Sequence, residues 1–449
     1  MNYDAAVRYL LSLGRELAAP TQAAAAKFNL ENITILTERL GRPQSAYSSI
    51  HIAGTNGKGS TAAFLEAILR RRFRTGLYIS PHLEKINERI RVNGEEVGDD
   101  DFAATFTRVH VVIEELLAQG KLRAHPTYFE CVTAMAFEYF AQRQVQYGIF
   151  EVGLGGRLDA TNILTPAVTI ITNVSFDHEN FLGHSLREIA GEKAGILKTG
   201  VPVVMAGQLP AAREVILNRA RELGCPVIET DTAYEVVDLP REAKTQGESE
   251  PGHFRASVCE VASGWCVKIA PSLSGRHQLK NAVNAIAAAR LLQGGGIRIT
   301  DEDLARGLAD TVWPGRLERL QSRPAVYLDG AHNPAAAREL AAFINENFAG
   351  RKIFLIYGAL RDKSVDEIAG LIFPLATEVI LTEASTPRAI SALELEKIAG
   401  HYAAKLTVMA QAERAFEYAV RRAEPDDTIF ITGSLYLVGQ LRAYWKRRP

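Results

Sequence analysis

A glycine-rich stretch with one lysine follows a short, mainly apolar run at residues 49–53 and precedes a helical pattern at residues 62–69. Backbone N–H groups exposed by glycines, the positive end of a helix dipole and a lysine ammonium are the groups that hold a polyphosphate. The order strand, loop and helix therefore predicts an ATP site. The residues of this phosphate loop are Gly54, Thr55, Asn56, Gly57, Lys58, Gly59 and Ser60.

The phosphate loop differs from the common pattern G-x-x-x-x-G-K-[ST] in two places. Ile52 stands where that pattern has its first glycine, and Gly59 stands where it has the hydroxyl that binds Mg²⁺. Either the metal is held mainly by residues elsewhere, or the turn binds no nucleotide. The flanking strand, the lysine and the helix favour the first interpretation, on which the rest of the chain must supply metal ligands.

Three further apolar runs that read as strands end in polar residues. Ser80 follows the first run, Glu151 lies near the end of the second, and His178 follows the third. Strands that alternate with helices form right-handed crossovers, and the carboxyl ends of the resulting parallel sheet face one crevice. A hydroxyl, a carboxylate and an imidazole would then meet beside the phosphates, and a mainly oxygen set indicates Mg²⁺ rather than zinc.

Each of these residues also has a structural interpretation. Ser80, taken alone, is better explained as a turn residue because Pro81 follows it. His178, taken alone, could be a helix-capping neighbour of Asp177. Glu151 differs, because a carboxylate in an apolar strand is costly to bury without a metal or an arginine partner.

The chain of 449 residues exceeds one ordinary core, so we expect two domains. The expected fold class is α/β with two three-layer domains. Residues 1–312 are predicted to form a P-loop-type ATPase domain with a mainly parallel sheet and a small antiparallel insertion at about 232–270, where the apolar pattern becomes short and alternating. Residues 313–449 are predicted to form a Rossmann-like domain, and Asp329 at the carboxyl end of its first strand lies where such sheets bind ligands.

The charge balance offers no general attraction for nucleic acid. Lys and Arg number 51 and Asp and Glu 52, so the net charge is -1 and a polyanionic partner would need a local patch. One arginine cluster is a candidate, although a solvated helix end whose cations complement the helix dipole explains it more simply. No nucleic-acid partner is expected. The cluster consists of Arg70, Arg71, Arg72 and Arg74.

Cysteine spacing and hydropathy indicate a reducing compartment. The four cysteines show no C-x-x-C spacing, which argues against a zinc site and a disulfide scaffold and indicates reduced thiols. No run of 18 apolar residues and no signal pattern occurs, so no membrane partner is expected and a cytoplasmic location is predicted. The cysteines are Cys131, Cys225, Cys259 and Cys266.

Seven motifs occur in order along the chain: Gly54–Ser60, Ser80-Pro81-His82, Glu151–Asn162, Asp177-His178, Glu192–Ile196, Pro314-Gly315-Arg316 and Asp329–Pro334. Together they closely resemble the folylpolyglutamate synthases and dihydrofolate synthases, a branch of the Mur ligase superfamily. The resemblance spans residue 30 to nearly the C-terminus, and the glycine-rich loop after Glu151 is specific to the folate branch.

The resemblance implies an ATP- and Mg²⁺-dependent amide ligase. A pteroate or folate carboxylate attacks the γ-phosphate of ATP, and the amine of L-glutamate displaces phosphate from the acyl phosphate. Such chemistry needs cations that bring a carboxylate and a triphosphate together. The implied partners are ATP, L-glutamate and dihydropteroate or a (tetrahydro)folate polyglutamate. The resemblance also implies a monomer and allows a monovalent cation beside Mg²⁺.

The resemblance also implies roles for individual residues. Catalytic roles belong to Lys58, Lys193 and His332, of which Lys193 matches a lysine that is carbamylated in the family. The implied metal ligands are Ser80, Glu151 and His178. The implied nucleotide contacts beyond the phosphate loop are Asn281, Arg316 and Asp329. The implied pterin site consists of Thr127, Tyr128, Phe129, Glu130, Gly155, Gly156 and Arg157, with Phe129 stacking on the ring and Arg157 facing an anionic end. Weaker candidates near the glutamate or the phosphates are His332 and Ser434.

Several alternatives stay open at this point. Lys193 could form a plain surface pair with Glu192, and ordinary turn roles suit His332 and Ser434 equally well. Residues 18–30 show no convincing match to the family's opening substrate loop. A ligase for a UDP-sugar substrate would need a separate N-terminal domain in place of residues 1–48. A switch that binds ATP without ligation would not require Arg316 and Asp329.

Overall fold

The computed structural model describes residues 1–14, 29–240 and 251–448 of the chain. Most of the alanine-rich segment without a family match, residues 18–28, lies outside the described residues. The strands of the first sheet are β1 (Ser48–Ala53), β2 (Thr75–Tyr78), β3 (Ile90–Val92), β4 (Glu95–Glu96), β5 (Tyr147–Glu151), β6 (Val168–Ile171), β7 (Val203–Met205) and β8 (Val227–Glu229). The helices of the same domain are α1 (Tyr3–Ser12), α2 (Glu31–Arg39), α3 (Lys58–Leu69), α4 (Asp99–Ala118), α5 (Tyr128–Gln142), α6 (Glu179–Leu182), α7 (Leu186–Ala194), α8 (Pro210–Glu222), α9 (Thr230–Ala233), α10 (Arg276–Gly294) and α11 (Asp301–Ala309).

The first sheet places the phosphate loop between the strands that carry the candidate metal ligands. Its strand order is β4-β3-β2-β5-β1-β6-β7-β8, and β2, β5, β1, β6, β7 and β8 run parallel. The hairpin of β3 and β4 adds an antiparallel edge. Because parallel strands end at the same edge of the sheet, the segments after β2, β5, β1 and β6 meet there.

Helices cover both faces of the first sheet, which explains its nearly continuous apolar strands. Ile52 packs with Phe64 of α3 and Ile286 of α10 on one face. Phe150 packs with Phe137 of α5 on the other. The sheet is therefore the middle of three layers, as predicted. No described helix has the length and apolar content required to cross a membrane.

A small antiparallel sheet lies in the predicted insertion. Its strands, in the order β11-β10-β9, pack through Val258 and Val267 onto the cluster of α3 and α10. Cys259 and Cys266 face each other across β10 and β11 and form a disulfide, so the expectation of four reduced thiols was wrong for this pair. Cysteine spacing alone does not reveal that two residues are opposite one another in a hairpin. The strands are β9 (Tyr234–Asp238), β10 (Ala256–Glu260) and β11 (Cys266–Ile269).

The second domain is also an α/β sandwich. Its strand order is β12-β13-β17-β14-β15-β16, all parallel except that β12 runs antiparallel to β13. The strands are β12 (Glu318–Ser322), β13 (Ala325–Leu328), β14 (Ile353–Tyr357), β15 (Glu378–Glu383), β16 (Leu406–Gln411) and β17 (Thr428–Thr432). The helices are α12 (Pro334–Phe348), α13 (Val365–Ile372), α14 (Ala392–Ala399), α15 (Ala412–Arg422) and α16 (Leu435–Lys446).

The predicted fold class is confirmed by these two sheets and their helices. The edge strands β12 and β16 are only partly buried and lack a continuous apolar run, so the sequence does not indicate them clearly. The division between residues 312 and 313 stays a prediction. In the arginine cluster, Arg72 forms an ion pair with Asp303 at 2.8 Å, which favours the helix-end interpretation.

Candidate active site

The phosphate loop is a tight turn in which a lysine folds back over its own backbone. Gly57 has φ of 86° and a Cβ on Gly54 would lie 1.8 Å from Thr172 Oγ1, so both positions require glycine. Lys58 begins α3, and its Nζ donates to the carbonyl oxygens of Gly54 at 3.1 Å and Thr55 at 3.2 Å. An ammonium and the N-terminus of a helix therefore converge on one small concavity, which suits a phosphate.

A second amine reaches the same carbonyl. Lys193 lies near the end of α7 with 4% of its surface exposed, and its Nζ donates to Gly54 O at 2.9 Å. Burial and the neighbouring charge of Lys58 lower the pKa of Lys193 to about 7. A surface pair with Glu192 is therefore the wrong interpretation, and the neutral amine is a major form near neutral pH.

Ser80 and Glu151 are brought together by the neighbouring strands β2 and β5. The backbone N–H of Ser80 donates to Glu151 Oε2 at 3.3 Å. Ser80 Oγ is buried and finds no hydrogen-bond partner among the described residues. Burial raises the pKa of Glu151, and the charges of Lys58 and Arg316 oppose that rise. A hydroxyl oxygen without a partner beside a buried carboxylate fits a divalent cation that prefers oxygen ligands.

His178 lies on the other side of the phosphate loop, where α6 begins. Its Nε2 is 3.4 Å from Lys363 Nζ, and its Nδ1 is 3.9 Å from a carboxylate oxygen of Asp362. Burial and the charge of Lys363 lower the pKa of His178 to about 4, so the ring is neutral near neutral pH. The polar contacts of the ring are with Asp177 and the second domain rather than with Ser80 and Glu151.

A polar cluster joins the two domains beside the phosphate loop. Asp177 accepts hydrogen bonds from Lys363 Nζ at 2.6 Å and from Asn333 Nδ2 at 3.1 Å. The side-chain amides of Asn333 and Asn56 exchange hydrogen bonds of 2.9 and 3.1 Å. Burial raises the pKa of Asp177, but Lys363, followed by His332, holds it well below its usual value. The second domain is therefore held directly against the phosphate loop.

Sequence reasoning missed Lys363 and assigned no role to Asn333 or Asp177. Lys363 is 5% exposed at its side chain and lies in the loop that follows β14. Ligands meet the carboxyl ends of parallel strands, and the loop that holds Lys363 follows the carboxyl end of β14 just as Asp329 follows that of β13. Applying that rule to β14 would have found Lys363.

Asp329 and Arg316 form the second domain's contribution near Glu151. The carboxylate of Asp329 accepts from the N–H groups of Leu317 at 3.0 Å and Ala331 at 2.9 Å. Burial raises the pKa of Asp329, and the charge of Arg316 opposes the rise for both Asp329 and Glu151. The Arg316 guanidinium thus lies close to two buried carboxylates from different domains.

Asn281 lies against the phosphate loop from α10. A Cβ on Gly57 would come within 2.4 Å of Asn281 Oδ1, so the amide is in contact with the turn. Its Nδ2 donates to Gln278 Oε1 at 3.0 Å. The predicted nucleotide residues Asn281, Arg316 and Asp329 are therefore grouped around the loop or the Glu151 carboxylate beside it, although they come from two domains.

The residues of the predicted pterin segment have two kinds of contact. Thr127, Tyr128 and Glu130 make contacts within the protein at the start of α5, whereas Phe129 lies against the glycine-rich loop. Thr127 caps α5, since its Oγ1 accepts from the Glu130 N–H at 3.2 Å while Glu130 Oε2 accepts from the Thr127 N–H at 2.8 Å. Tyr128 is buried beneath the guanidinium of Arg89, 5.5 Å from the ring centre. Phe129 is partly buried and lies so close to Gly153 that a Cβ there would be 2.6 Å from the ring.

The glycine-rich loop after Glu151 is packed against α7. Gly155 and Gly156 have φ of 68° and 159°, and a Cβ on Gly156 would lie 2.7 Å from Glu192 O. Arg157 donates from Nε and Nη2 to Glu192 Oε1 at 3.0 and 2.8 Å. In this structure the Arg157 charge is therefore paired within the protein rather than facing an open anion site, although 57% of its side chain is exposed.

The two weaker candidates differ in their surroundings. Ser434 caps α16, since its buried Oγ accepts from the Tyr436 N–H at 3.2 Å. His332 Nδ1 lies 2.7 Å from Gly330 O, and its Nε2 faces Asp177 at 3.8 Å. Burial and the charge of Lys363 lower the pKa of His332 to about 4. Ser434 thus has an ordinary capping role, whereas His332 belongs to the polar cluster between the domains.

Comparison with known proteins identifies similar chains along almost the whole sequence. Family models described as the Mur ligase middle domain and as the Mur ligase, glutamate ligase domain match residues 52–289 and 315–435. The dihydrofolate synthase/folylpolyglutamate synthase of Bacillus subtilis is 36% identical over 413 residues, which cover 91% of this chain and 92% of the relative. The structure of Mycobacterium tuberculosis folylpolyglutamate synthase complexed with ADP has a TM-score of 0.87 at 31% identity, covering 100% of this chain and 99% of that one. Escherichia coli FolC in complex with DHPP and ADP has a TM-score of 0.83 at 26% identity, covering 99% and 98%.

Proposed function

This chain belongs to the Mur ligases and, among them, to the folylpolyglutamate synthase and dihydrofolate synthase family, and on that premise we propose its reaction. It joins L-glutamate to dihydropteroate, to a (tetrahydro)folate polyglutamate, or to both, with cleavage of ATP to ADP and phosphate. The observation that carries this proposal is the meeting of two lysine amines, Lys58 and Lys193, on the carbonyl of Gly54 in the phosphate loop.

The phosphate loop would hold the ATP phosphates through its N–H groups and Lys58. Lys58 Nζ now donates to two backbone carbonyls, Gly54 and Thr55, and a phosphate oxygen is a stronger acceptor for the same ammonium. The nearby Arg316 guanidinium and Asn281 amide would complete the nucleotide contacts from two directions. The second domain, which already contacts the loop through Asn333 and Asn56, would then help to hold the γ-phosphate in line with the attacking carboxylate.

Ser80 and Glu151 are the residues that would hold Mg²⁺. The buried Ser80 Oγ without a hydrogen bond to any described residue and the adjacent buried carboxylate of Glu151 suit an oxygen-ligated cation. When bound, the ion would neutralise charge on the transferred phosphate. His178 is included as a third ligand on the strength of the family resemblance and its neutral ring, whose Nδ1 makes no hydrogen bond to the described residues.

The pteroate carboxylate would attack the γ-phosphate to form an acyl phosphate, and the glutamate amine would then displace phosphate. The protein supplies positive charge and alignment rather than a covalent nucleophile. Lys193, as a carbamate, would carry a negative charge beside Lys58 and would help to position Mg²⁺. The family resemblance implies that His332 lies near the incoming glutamate, where its neutral ring, close to Asp177, would orient the substrate rather than act as a strong base.

The pterin would lie beside Phe129 and the loop after Glu151. Phe129 is partly buried, and its ring lies close to Gly153, where the loop has no side chain. An exposed Arg157 can exchange Glu192 for an anionic substrate group, since the pair is solvent-accessible. Similarity to a structure described as a complex with DHPP and ADP supports a folate precursor and a nucleotide as the substrates.

Two alternative functions, a ligase for another substrate and a nucleotide-binding switch, would require different residues. A ligase for another carboxylate substrate would share the ATP site but not the glycine-rich loop at 153–157. A nucleotide-binding switch would not need Arg316 and Asp329 from the second domain beside Glu151. We also propose a cytoplasmic location, a monomeric state and a monovalent cation beside Mg²⁺.

The experiment that tests the proposal measures ADP release with Mg²⁺, L-glutamate and either dihydropteroate or tetrahydrofolate. Product mass separates addition of the first glutamate from chain extension. We expect ADP release that requires glutamate and at least one of the two pterins. ATP hydrolysis that is independent of both pterins, with no glutamylated product, would remove the ligase assignment.

A further inference from the structure

Three side chains with metal-binding atoms meet where α1, α4 and the turn before α5 pack together. His110 and Glu114 lie one turn apart on α4, and His125 precedes α5. One ligand atom from each lies within 4.8 Å of the other two. Tyr9 of α1 adds a hydroxyl 3.1 Å from His125 Nε2. We propose that these residues form a binding site for one divalent transition-metal ion, separate from the ligase site.

His125 is oriented as a metal ligand by its own backbone. Its Nδ1 lies 2.7 Å from Pro126 O, and because a carbonyl oxygen can only accept, Nδ1 carries the proton. Nε2 therefore carries the lone pair, which accepts from the Tyr9 hydroxyl in this structure and would bind the metal ion in its place. A histidine that donates one ring N–H to a carbonyl and presents the other nitrogen is the usual arrangement of ligating histidines.

His110 is held in place but lacks a polar partner. Its ring packs against Phe106 with centroids 5.7 Å apart and against Tyr9 at 4.6 Å. Nδ1 is buried and makes no hydrogen bond to any described residue, although a carboxylate oxygen of Glu114 lies 3.8 Å away. Burial lowers the pKa of His110, which disfavours the protonated ring. A metal ion would satisfy a buried nitrogen that the protein leaves without a hydrogen bond.

The donor set selects the class of metal. Two imidazoles and one carboxylate suit Zn²⁺, and also Cu²⁺ or Ni²⁺, whereas Mg²⁺ prefers oxygen alone. Tetrahedral bonds of roughly 2.1 Å place ligand atoms roughly 3.4 Å apart. The present ligand atoms lie within 4.8 Å of one another, so binding requires small movements of the three side chains, of which Glu114, 55% exposed, is the most exposed. That exposure also gives the ion access from solvent, with Tyr9 or water at the fourth position.

The site would stabilise the start of α5 without taking part in ligation. His125 lies two residues before Thr127, which caps α5, and Tyr9 and His110 belong to helices that pack on it. A bound ion would tie these three elements together. The proposal is independent of the ligase assignment, because none of the four residues touches the phosphate loop.

The test uses the full chain without a histidine tag, because the tag would itself bind Zn²⁺. Zn²⁺ affinity is measured by competition with a chromogenic chelator, and Co²⁺ absorption reports the ligand geometry. We expect one Zn²⁺ per chain, with affinity reduced roughly 100-fold or more in His110→Gln and His125→Gln. His401→Gln is the matched control, since this histidine also contacts an aromatic ring, that of Tyr402 at 4.0 Å.

Glu114→Gln shows whether weaker Zn²⁺ binding can occur without unfolding, because this change removes an exposed charge and leaves the packed rings of the two histidines in place. It should also weaken Zn²⁺ binding and change the Co²⁺ spectrum while circular dichroism stays that of the wild type. The proposal is overturned if His110→Gln, His125→Gln or Glu114→Gln binds Zn²⁺ as the wild type does. It is equally overturned if His401→Gln loses the ion to the same extent.

Discussion

Lys193 should capture carbon dioxide selectively, because its amine is neutral when other lysines are charged. With a pKa of about 7, about three quarters of Lys193 is neutral near about pH 7.5, against about 0.1% of a lysine with the ordinary pKa of about 10.4. The ratio is roughly 600-fold in the reactive form. The amine nitrogen bonds to the carbon of CO₂ and releases one proton. The carbamate anion then lies beside the Lys58 ammonium, which replaces a repulsion by an attraction.

The assay follows ¹³C-bicarbonate labelling by NMR in the wild type, in Lys193→Met and in Lys352→Met. Lys352 is the control because it is exposed and pairs only loosely with Glu424 at 3.5 Å. We expect one slowly exchanging carbamate resonance in the wild type and in Lys352→Met, and its loss in Lys193→Met. The label should disappear as the pH falls through about 7, because protonation of the depressed-pKa amine removes the nucleophile.

Two results would refute this reasoning. A carbamate resonance that survives in Lys193→Met would place the modification elsewhere. A folded wild type that takes up no label at saturating bicarbonate would mean that the Lys193 amine is charged or shielded from CO₂. Ligase activity measured on the same samples should follow the label, since both depend on the same amine.

Three further predictions concern the phosphate loop and the contact between the domains. Lys58→Ala should lower pterin-dependent ADP release by about 100-fold or more, because a charge that stabilises the transferred phosphate is lost; turnover at the wild-type rate would contradict the site. Glu151→Gln should raise the Mg²⁺ concentration needed for half-maximal activity, and an unchanged titration would count against Glu151 as a ligand. Lys363→Met leaves the buried Asp177 carboxylate without its 2.6 Å partner and should lower the free energy of unfolding by about 3–5 kcal/mol in urea titrations. Because the folded-state pKa of Asp177 is depressed, the stabilisation by this pair is present above about pH 4 and is lost as the pH falls further. If Lys363→Met lowers the free energy of unfolding by the same amount in a protein that also carries Asp177→Asn, the pairing is contradicted.

The glycine turn of the phosphate loop was predictable because its signals are local. A glycine turn, a lysine and the start of a helix are adjacent in the chain, and these are the features that a phosphate-binding loop needs. Parallel strand order added Ser80 and Glu151, since strand-helix-strand units leave little freedom in how carboxyl ends meet. The disulfide between Cys259 and Cys266 was not predictable, since it depends on hairpin register.

By itself, the sequence determined the fold class, the phosphate loop and the family, all of which rest on short motifs and apolar periodicity. Only the tertiary structure decided that Lys193 is buried beside Lys58, that Arg157 is paired with Glu192, and that Lys363 reaches Asp177 from the other domain. Burial and charge pairing depend on residues far apart in the chain, up to 186 positions for this last pair. Desolvation and Coulomb interactions act through space, so no spacing along one strand or helix encodes them.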